Sequence, residues 1–217
     1  MITTAPPALT PSSYVVDIAG ERVTLPLVAI NETLAISLLM VIDMGVGFGD
    51  RIGRALAERM KVCRPDIVVG AATLGIPVAI EVSRHLGLDR YVILQKSPKI
   101  HLADALVEYV QSVTSSGSQR LLLDRRAIPL LQGRRVLVVD DVVATGSSLL
   151  ATLRLVRQAG ADVVGIGVIL TEGHAWRKVL GADADLVSGL GHIPQFRIDG
   201  DRATPEPATM AGAVYTP

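Results

Sequence analysis

Apolar residues follow two different spacings along this chain, and together they predict an α/β fold. Nearly continuous apolar runs, typical of parallel strands covered on both faces, occur at 66–70, 91–95, 135–140 and 162–170. Apolar residues three and four apart predict helices at 75–86, 147–159 and, more briefly, 174–180, before a last short strand near 184–188. This alternation indicates a doubly wound, mainly parallel sheet.

The rest of the chain is organised differently. Residues 14–30 alternate apolar and polar side chains around Gly20 and predict a hairpin, and residues 34–61 predict a helix interrupted at 45–49. We expect an irregular segment with one extended piece at 96–120, and the pattern at 121–131 is ambiguous.

Composition bounds the fold and the partners. The 217 residues suit a single domain, here 14–199, between a disordered Pro-rich start at 1–13 and a flexible tail at 200–217. The formal net charge of zero gives no field for nucleic acid, so we expect no nucleic-acid partner. The single Cys63, the polar N-terminus and the lack of a long apolar run predict a soluble, cytoplasmic protein with no membrane partner.

The strongest chemical signal follows the apolar run Val136–Val139. Asp140 and Asp141 come next, and ionised carboxylates accept hydrogen bonds from sugar hydroxyls or from a hydrated cation. The loop Ala144–Ser148 then opens a helix, so its backbone N–H groups and the helix N-terminus suit a monophosphate. The plain alternative is that these acids and hydroxyls only cap the helix.

The stretch VLVVDDVVATGSS resembles the phosphoribosyl-pyrophosphate (PRPP) motif of type I phosphoribosyltransferases, and the resemblance runs from about Asp66 to Gly191. It implies that fold, with a small N-terminal hood at about 14–46 and a flexible lid loop at 100–120. It also implies that Asp140 and Asp141 contact the ribose hydroxyls. The 5-phosphate would then be bound by Ala144, Thr145, Gly146, Ser147 and Ser148.

Two further segments fit the same resemblance. Small residues at 71–75 let backbone amides face an anion, and in the family this loop, here Ala72, Thr73 and Leu74, holds pyrophosphate. Lys96 and Lys99 match lysines that neutralise pyrophosphate, although surface lysines are more often simply solvated. The alternative for the lid is a plain hairpin arm, and the role of its acid Glu108 is open.

The acceptor is harder to predict. A pattern in the lid resembles bacterial xanthine phosphoribosyltransferases, through Leu102, Asp104, Leu106 and Thr114. However, Glu172 lies at the end of the strand predicted at 162–170, where family members that act on 6-oxo purines often carry a lysine. The adenine enzymes carry a glutamate in the lid loop, and this chain has no glutamate at the corresponding position. As base contacts the resemblance suggests Val142 and Val143, with Asn31 and Glu172 as polar candidates.

The sequence therefore predicts a phosphoribosyltransferase, a pentosyltransferase among the glycosyltransferases, acting in nucleotide salvage. The substrates would be PRPP and a nitrogenous, purine-like base, and within the family the chain most resembles the purine enzymes of the xanthine and adenine type. The family implies Mg²⁺, held mainly by PRPP oxygens and water with indirect or weak contact to Asp141, and commonly a homodimer. Two alternatives stay open: a non-catalytic PRPP or nucleotide sensor, and an enzyme for a pyrimidine or another acceptor.

Overall fold

A computed structural model describes residues 9–97, 104–110 and 119–212. Its strands are β1 (Ser13–Ile18), β2 (Glu21–Ala29), β3 (Leu34–Ser37), β4 (Ile67–Ala71), β5 (Tyr91–Leu94), β6 (Ala105–Val110), β7 (Gln119–Asp124), β8 (Arg135–Val143), β9 (Asp162–Glu172), β10 (Val187–Ile193), β11 (Phe196–Asp199) and β12 (Arg202–Pro205). Its helices are α1 (Val46–Met60), α2 (Gly75–Leu86), α3 (Ile128–Leu131), α4 (Ser147–Gln158) and α5 (Ala175–Leu180).

The central sheet has five parallel strands in the order β10-β9-β8-β4-β5. The chain runs from β4 outward to β5 and then crosses back to β8 on the other side of β4. In open α/β sheets, ligands bind beyond the carboxyl ends of the strands at such a reversal. The predicted α/β, doubly wound parallel sheet is confirmed, and its topology directs attention to the ends of β4 and β8.

Apolar layers cover both faces of this sheet, which explains the uninterrupted apolar run in β8. Val136 and Val138 pack into the layer beneath α4, whereas Leu137 and Val139 pack into the layer beneath α1 and α2. All four side chains are at most 1% exposed. Because successive strand residues point to opposite faces, a strand buried on both sides must be apolar at every position.

A second sheet is antiparallel and has the order β1-β2-β3-β11-β12. Thr10, just before β1, forms a bridge with Arg202 in β12, so the two edges of this sheet meet. A small separate core lies within it, formed by Leu9, Leu27, Ala35, Phe196, Ile198 and Ala203. The strands within the segment predicted as a hood, 14–46, therefore share their sheet with strands from late in the chain.

Two predicted element boundaries were wrong. Residues 34–37, predicted as helix, form β3, because Ala35 pairs with Phe196 and Ser37 pairs with Leu27. A 3-10 turn at Val41–Met44 and Gly45, with a φ of 83°, then separate β3 from α1. The last parallel strand, predicted at 184–188, starts at Val187 because Gly181–Leu186 forms a 3-10 helix.

The predicted disorder at both ends was wrong for the part that the structure describes. Leu9 is buried, and the Thr10 N–H donates to Asp201 O at 2.7 Å. Beyond Gly200 the chain forms β12 and a 3-10 turn at Pro207–Thr209. These polar segments are ordered by pairing with distant strands, which local composition does not reveal. Residues 1–8 and 213–217 lie outside the described residues.

Strands β6 and β7 form an antiparallel hairpin in the region predicted as the lid, which confirms the extended piece there. Backbone hydrogen bonds between Gln95 and Leu122 attach it to the end of β5. Glu108 accepts a hydrogen bond from Gln158 Nε2 at 2.8 Å and lies 3.8 Å from Arg154, so this acid links the hairpin to α4. Residues 98–103 and 111–118, which include much of the predicted lid loop at 100–120, lie outside the described residues.

The described helices include none that is both long enough and apolar enough to cross a membrane.

Helices α1 and α2 cross closely at Gly53. A Cβ atom there would lie 2.9 Å from the Glu81 carbonyl carbon and still closer to Glu81 Cβ, whereas one at exposed Gly47 would only meet the flexible Arg51 side chain at 3.5 Å. We therefore predict that Gly53→Ala lowers the free energy of unfolding by about 1–3 kcal/mol. Gly47→Ala, the matched control, should raise it by up to about 1 kcal/mol. Urea denaturation measures both, and equal effects of the two substitutions would contradict this packing.

Candidate active site

The carboxylate pair lies within β8, because this strand continues three residues past its predicted end at 140. Asp140 is aligned with Val168 in β9, and Val142 is aligned with Leu170, so the pair is held by sheet hydrogen bonding. The Asp141 N–H donates to Asp140 Oδ1 at 3.1 Å. Both acids are half-buried, so their position is set by a rigid strand and not by a loop.

Burial and mutual repulsion control the charge of the pair. Burial, and then the neighbouring Asp141 charge, raise the pKa of Asp140 well above its ordinary value, while Lys96 opposes the shift. Burial also raises the pKa of Asp141, although hydrogen bonding from Asp140 and the charge of Lys96 oppose it. Asp140 therefore holds a proton more readily than Asp141, and hydroxyl donors or a cation would favour the ionised form of both.

The loop after β4 comes close to Asp140 because two glycines allow it. A Cβ atom at Gly75 would lie 3.1 Å from Asp140 Oδ1, and one at Gly70 would lie 2.8 Å from Gly75 O. Between them, the Ala72–Thr73 peptide bond is cis and Thr73 is exposed. The Ala72 N–H donates to Leu94 O at 2.9 Å. Ala72 therefore uses its amide to fix the loop to β5, and Thr73 is the member of the predicted set most open to a ligand.

The predicted phosphate loop closes against α5. Gly146 has a φ of +82°, and a Cβ atom there would lie 3.1 Å from Trp176 Cα, so this position requires glycine on both counts. The Ser147 N–H donates to Thr145 Oγ1 at 3.3 Å, and α4 begins at Ser147. A cavity of about 140 Å³ results, lined by Asp140, Val142, Val143, Ala144, Thr145, Gly146, Ser148 and Leu149. The structure thus brings a carboxylate, the loop and a helix N-terminus around one space.

Of the two predicted lysines, Lys96 is described and Lys99 lies outside the described residues. Lys96 is exposed just after β5, and its charge acts on both carboxylates. A cation near the pair at the ends of β4 and β5 is positioned to meet an anionic group bound over the 71–75 loop.

The predicted base contacts separate into two groups. Val142 and Val143 line the cavity of the phosphate loop. Asn31, in contrast, lies exposed in the turn between β2 and β3, where its Oδ1 accepts hydrogen bonds from the N–H groups of Thr33 and Leu34, both at 2.9 Å. Its recorded partners are therefore local to the turn, and the structure does not bring it to the carboxylates.

Glu172, the last residue of β9, is buried with 5% exposure and accepts a hydrogen bond from Gln195 Nε2 at 3.1 Å. Burial raises its pKa, and the bond from Gln195 opposes that shift. It lines neither this cavity nor the one described next.

A second cavity, of about 380 Å³, lies beside the first. Thr171 lines it and is aligned with Val143, which lines the first cavity, so the two spaces lie at neighbouring strand ends. His174 and His192 also line it, with their rings stacked at a centroid distance of 5.2 Å. These histidines are 18 residues apart in sequence, and no local pattern signals that they meet.

Comparison with known proteins gives a consistent result. The family model "Phosphoribosyl transferase domain" matches residues 46–191. Xanthine phosphoribosyltransferase of Laribacter hongkongensis is 34% identical over 147 residues, which cover 67% of this chain and 76% of that protein. Orotate phosphoribosyltransferase of Caldanaerobacter subterraneus is 32% identical over 123 residues, 57% of this chain and 53% of that protein. The chain thus spans between about half and three quarters of these two relatives.

Solved structures show the same fold. Adenine phosphoribosyltransferase from Thermoanaerobacter pseudethanolicus superposes with a TM-score of 0.62 at 19% identity, covering 76% of this chain and 94% of that one. The adenine enzyme from Rhodothermus marinus gives a TM-score of 0.60 at 25% identity, covering 84% and 94%.

The raised pKa of Asp140 predicts a pH-dependent cost in stability. A carboxyl group that binds its proton more tightly in the folded protein than in the unfolded chain destabilises the fold once it ionises. This loss of stability disappears as the pH falls towards 3.8, the ordinary pKa of an aspartate. We expect Asp140→Asn, which keeps an Oδ1 acceptor, to raise the melting temperature by about 2 °C or more near neutral pH. The gain should shrink as the buffer is acidified.

Thermal melts across the pH range check this expectation, with exposed Asp89→Asn as the control. A gain for Asp140→Asn that does not depend on pH would contradict the electrostatic explanation.

Proposed function

This chain belongs to the phosphoribosyltransferase family, and we propose that it transfers the phosphoribosyl group of PRPP to a nitrogenous, purine-like base, releasing pyrophosphate. The observation that carries the proposal is the convergence of Asp140 and the 144–148 loop on one cavity at the topological reversal of the sheet. A ribose 5-phosphate needs both acceptors for its hydroxyls and donors for its phosphate, and this cavity supplies both.

Asp140 and Asp141 would accept hydrogen bonds from the ribose hydroxyls. Hydroxyl donors favour the ionised carboxylates and so offset the burial that raises the pKa of both acids. Two negative charges beside the sugar also stabilise the positive charge that develops on it as the bond from C1 to pyrophosphate breaks. The ribose is thereby both oriented and activated by the same two side chains.

The phosphates at the two ends of PRPP would be bound by different loops. Backbone N–H groups of 144–148 and the N-terminus of α4 meet the 5-phosphate. At the other end, Thr73 and the cation of Lys96 stabilise the departing pyrophosphate, with Lys99 as a further candidate. Val142 and Val143 would contribute the apolar surface next to the base.

The residues present fit a magnesium ion bound together with substrate. Asp140 and Asp141 offer hard oxygen ligands of the kind Mg²⁺ prefers, but two carboxylates leave most positions to PRPP oxygens and water, with Asp141 in indirect or weak contact. When bound, such an ion neutralises diphosphate charge. Asp50, Glu81 and His85 also have spacing that could hold a metal ion, but they lie on α1 and α2 and line neither cavity.

We further propose that the protein is a homodimer, as the resemblance implies, and that it acts in the cytoplasm, where a single unpaired Cys63 fits a reducing compartment. Light scattering of the purified protein checks the dimer.

The activity test is pyrophosphate release from PRPP and Mg²⁺ with a panel of bases. We expect release that depends on one base or a few. Asp141→Asn should lower kcat/KM by roughly tenfold to a hundredfold, because hydrogen bonds to a charged acceptor contribute about 1.5–3 kcal/mol. The control Asp89→Asn alters an exposed carboxyl outside the site and should match the wild type.

If no base leads to pyrophosphate release while PRPP still binds in a calorimetric titration, the proposed enzymatic activity is overturned in favour of a non-catalytic sensor. Unchanged activity of Asp141→Asn would overturn only the role given to that residue.

A further inference from the structure

A group of metal-ligating side chains lies apart from both cavities, where helices α1 and α2 face each other. Asp50 of α1 and Glu81 and His85 of α2 each offer one ligand atom, and these three atoms lie within 4.8 Å of one another. These residues form an interhelical triad. They line neither cavity, so the triad is separate from the site proposed for PRPP and Mg²⁺.

Helix geometry and two glycines bring the triad together. Glu81 and His85 are four residues apart, so they lie one turn apart on the same face of α2. Gly53 lets α1 approach closely, since a Cβ atom there would lie 2.9 Å from the Glu81 carbonyl carbon. A Cβ atom at Gly49 would lie 3.8 Å from Glu81 Cγ. The ligands thus stand on two packed helices, which hold a metal site more accurately than loops do.

The distance across the two helices suits one small ion. His85 Nε2 lies 3.0 Å from Asp50 Oδ1. Two ligands of one zinc ion, each about 2.0–2.2 Å from the metal, lie roughly 3 Å from each other. A metal would take the place of the proton between these atoms, and the ring would keep a proton on Nδ1. Because all three atoms lie within 4.8 Å, a rotation of the longer Glu81 side chain completes the set.

Arginines hold the other oxygen of each carboxylate. Arg84 Nε donates to Glu81 Oε2 at 3.0 Å, and Arg54 Nη2 donates to Asp50 Oδ2 at 3.5 Å. Metal-ligating carboxylates are commonly fixed by such outer partners. The hydrogen bond from His85, and then the charge of Arg54, lower the pKa of Asp50 against the opposing effect of burial, which keeps this carboxylate ionised at neutral pH. Asp50 Oδ1 and Glu81 Oε1 are therefore the oxygens that a cation would bind.

The triad is shielded on one side and open on the other. The side chains of Glu81 and His85 are only 14% and 18% exposed, whereas that of Asp50 is 42% exposed. The open side gives an ion a path of entry and leaves room for water as a further ligand. Two carboxylates also balance the charge of a divalent cation.

We infer that the interhelical triad binds one divalent transition-metal ion of the zinc type, through an imidazole nitrogen and two carboxylate oxygens, with water completing the coordination. An imidazole ligand suits zinc, nickel or cobalt, whereas Mg²⁺ prefers oxygen ligands alone. The ion would join α1 to α2, which begins directly after the 71–75 loop, and would stabilise the folded chain. This inference is independent of the proposed function.

Zinc titration of the full chain tests the inference. The protein would first be treated with a chelator and dialysed, and then titrated calorimetrically with Zn²⁺ in the absence of nucleotide. We expect one ion per chain. With free Zn²⁺ at 100 times the measured dissociation constant, the melting temperature should rise by about 5–10 °C. The same concentration of Mg²⁺ should give no comparable rise.

Four variants locate the ion. Asp50→Asn and His85→Gln should each weaken zinc binding by at least about a hundredfold, since loss of an outer partner alone costs about tenfold to a hundredfold. Glu58→Gln removes an exposed carboxylate of α1 outside the triad and should bind zinc as the wild type does. His192→Gln should also keep zinc binding, which excludes the stacked His174 and His192 as the site.

The outcomes are distinct. Absence of zinc binding, or zinc affinity that is unchanged in both Asp50→Asn and His85→Gln, overturns the inference. Loss of binding in His192→Gln alone moves the ion to the second cavity and overturns the assigned site. An equal rise in melting temperature with Mg²⁺ overturns the choice of metal. Melts without zinc show whether each variant folds, and Glu81→Gln replaces either triad variant that does not. None of these results depends on pyrophosphate release, so the proposed function is tested separately.

Discussion

Two adjacent carboxylates held in a half-buried cleft are the constraint on which the rest of this site depends. A flexible loop could turn Asp140 and Asp141 towards water, but a central strand paired with β9 cannot. The surroundings therefore favour bound donors and cations: Lys96 acts on both acids, and Gly75 allows the next loop to approach Asp140. Under the proposed function, the same arrangement that costs stability in the free protein would prepare it to bind a polyhydroxylated, anionic sugar.

The reversal of strand order explains why these parts meet. Because β4 and β8 are neighbours while β5 follows β4 on the other side, the loops after both strands open into one crevice. The phosphate loop follows β8, the small-residue loop follows β4, and Lys96 follows β5. Three segments distant in sequence thus contribute to one site without long excursions of the chain.

The part of the molecule that forms the second cavity has a different origin. The second, antiparallel sheet joins β1, β2 and β3 to β11 and β12, and the residues beyond β12 reach His174 and His192. The wall of this cavity consequently depends on late residues and on contacts between histidines that are not neighbours in sequence.

Sequence patterns predicted the elements whose signals are local. The apolar run of β8, the helical spacing of α2 and α4, and the small-residue loops after β4 and β8 are all present as expected. Two of the failures share a physical cause, which is pairing with distant residues. Leu34–Ser37 has apolar content that suits a helix, yet Ala35 pairs with Phe196. The polar residues at 202–205 are ordered by pairing with β11 and with Thr10. Asn31 was a candidate base contact because it is a polar residue in an apolar segment. Only the structure shows that its side chain accepts hydrogen bonds within its own turn.

A crystal structure with PRPP and Mg²⁺ bound tests the central claim most directly. The account predicts the ribose hydroxyls on the carboxylates of Asp140 and Asp141, the 5-phosphate on the amides of 144–148, and the diphosphate towards Thr73 and Lys96. Electron density that places the 5-phosphate elsewhere, or the ribose out of reach of both acids, would contradict it.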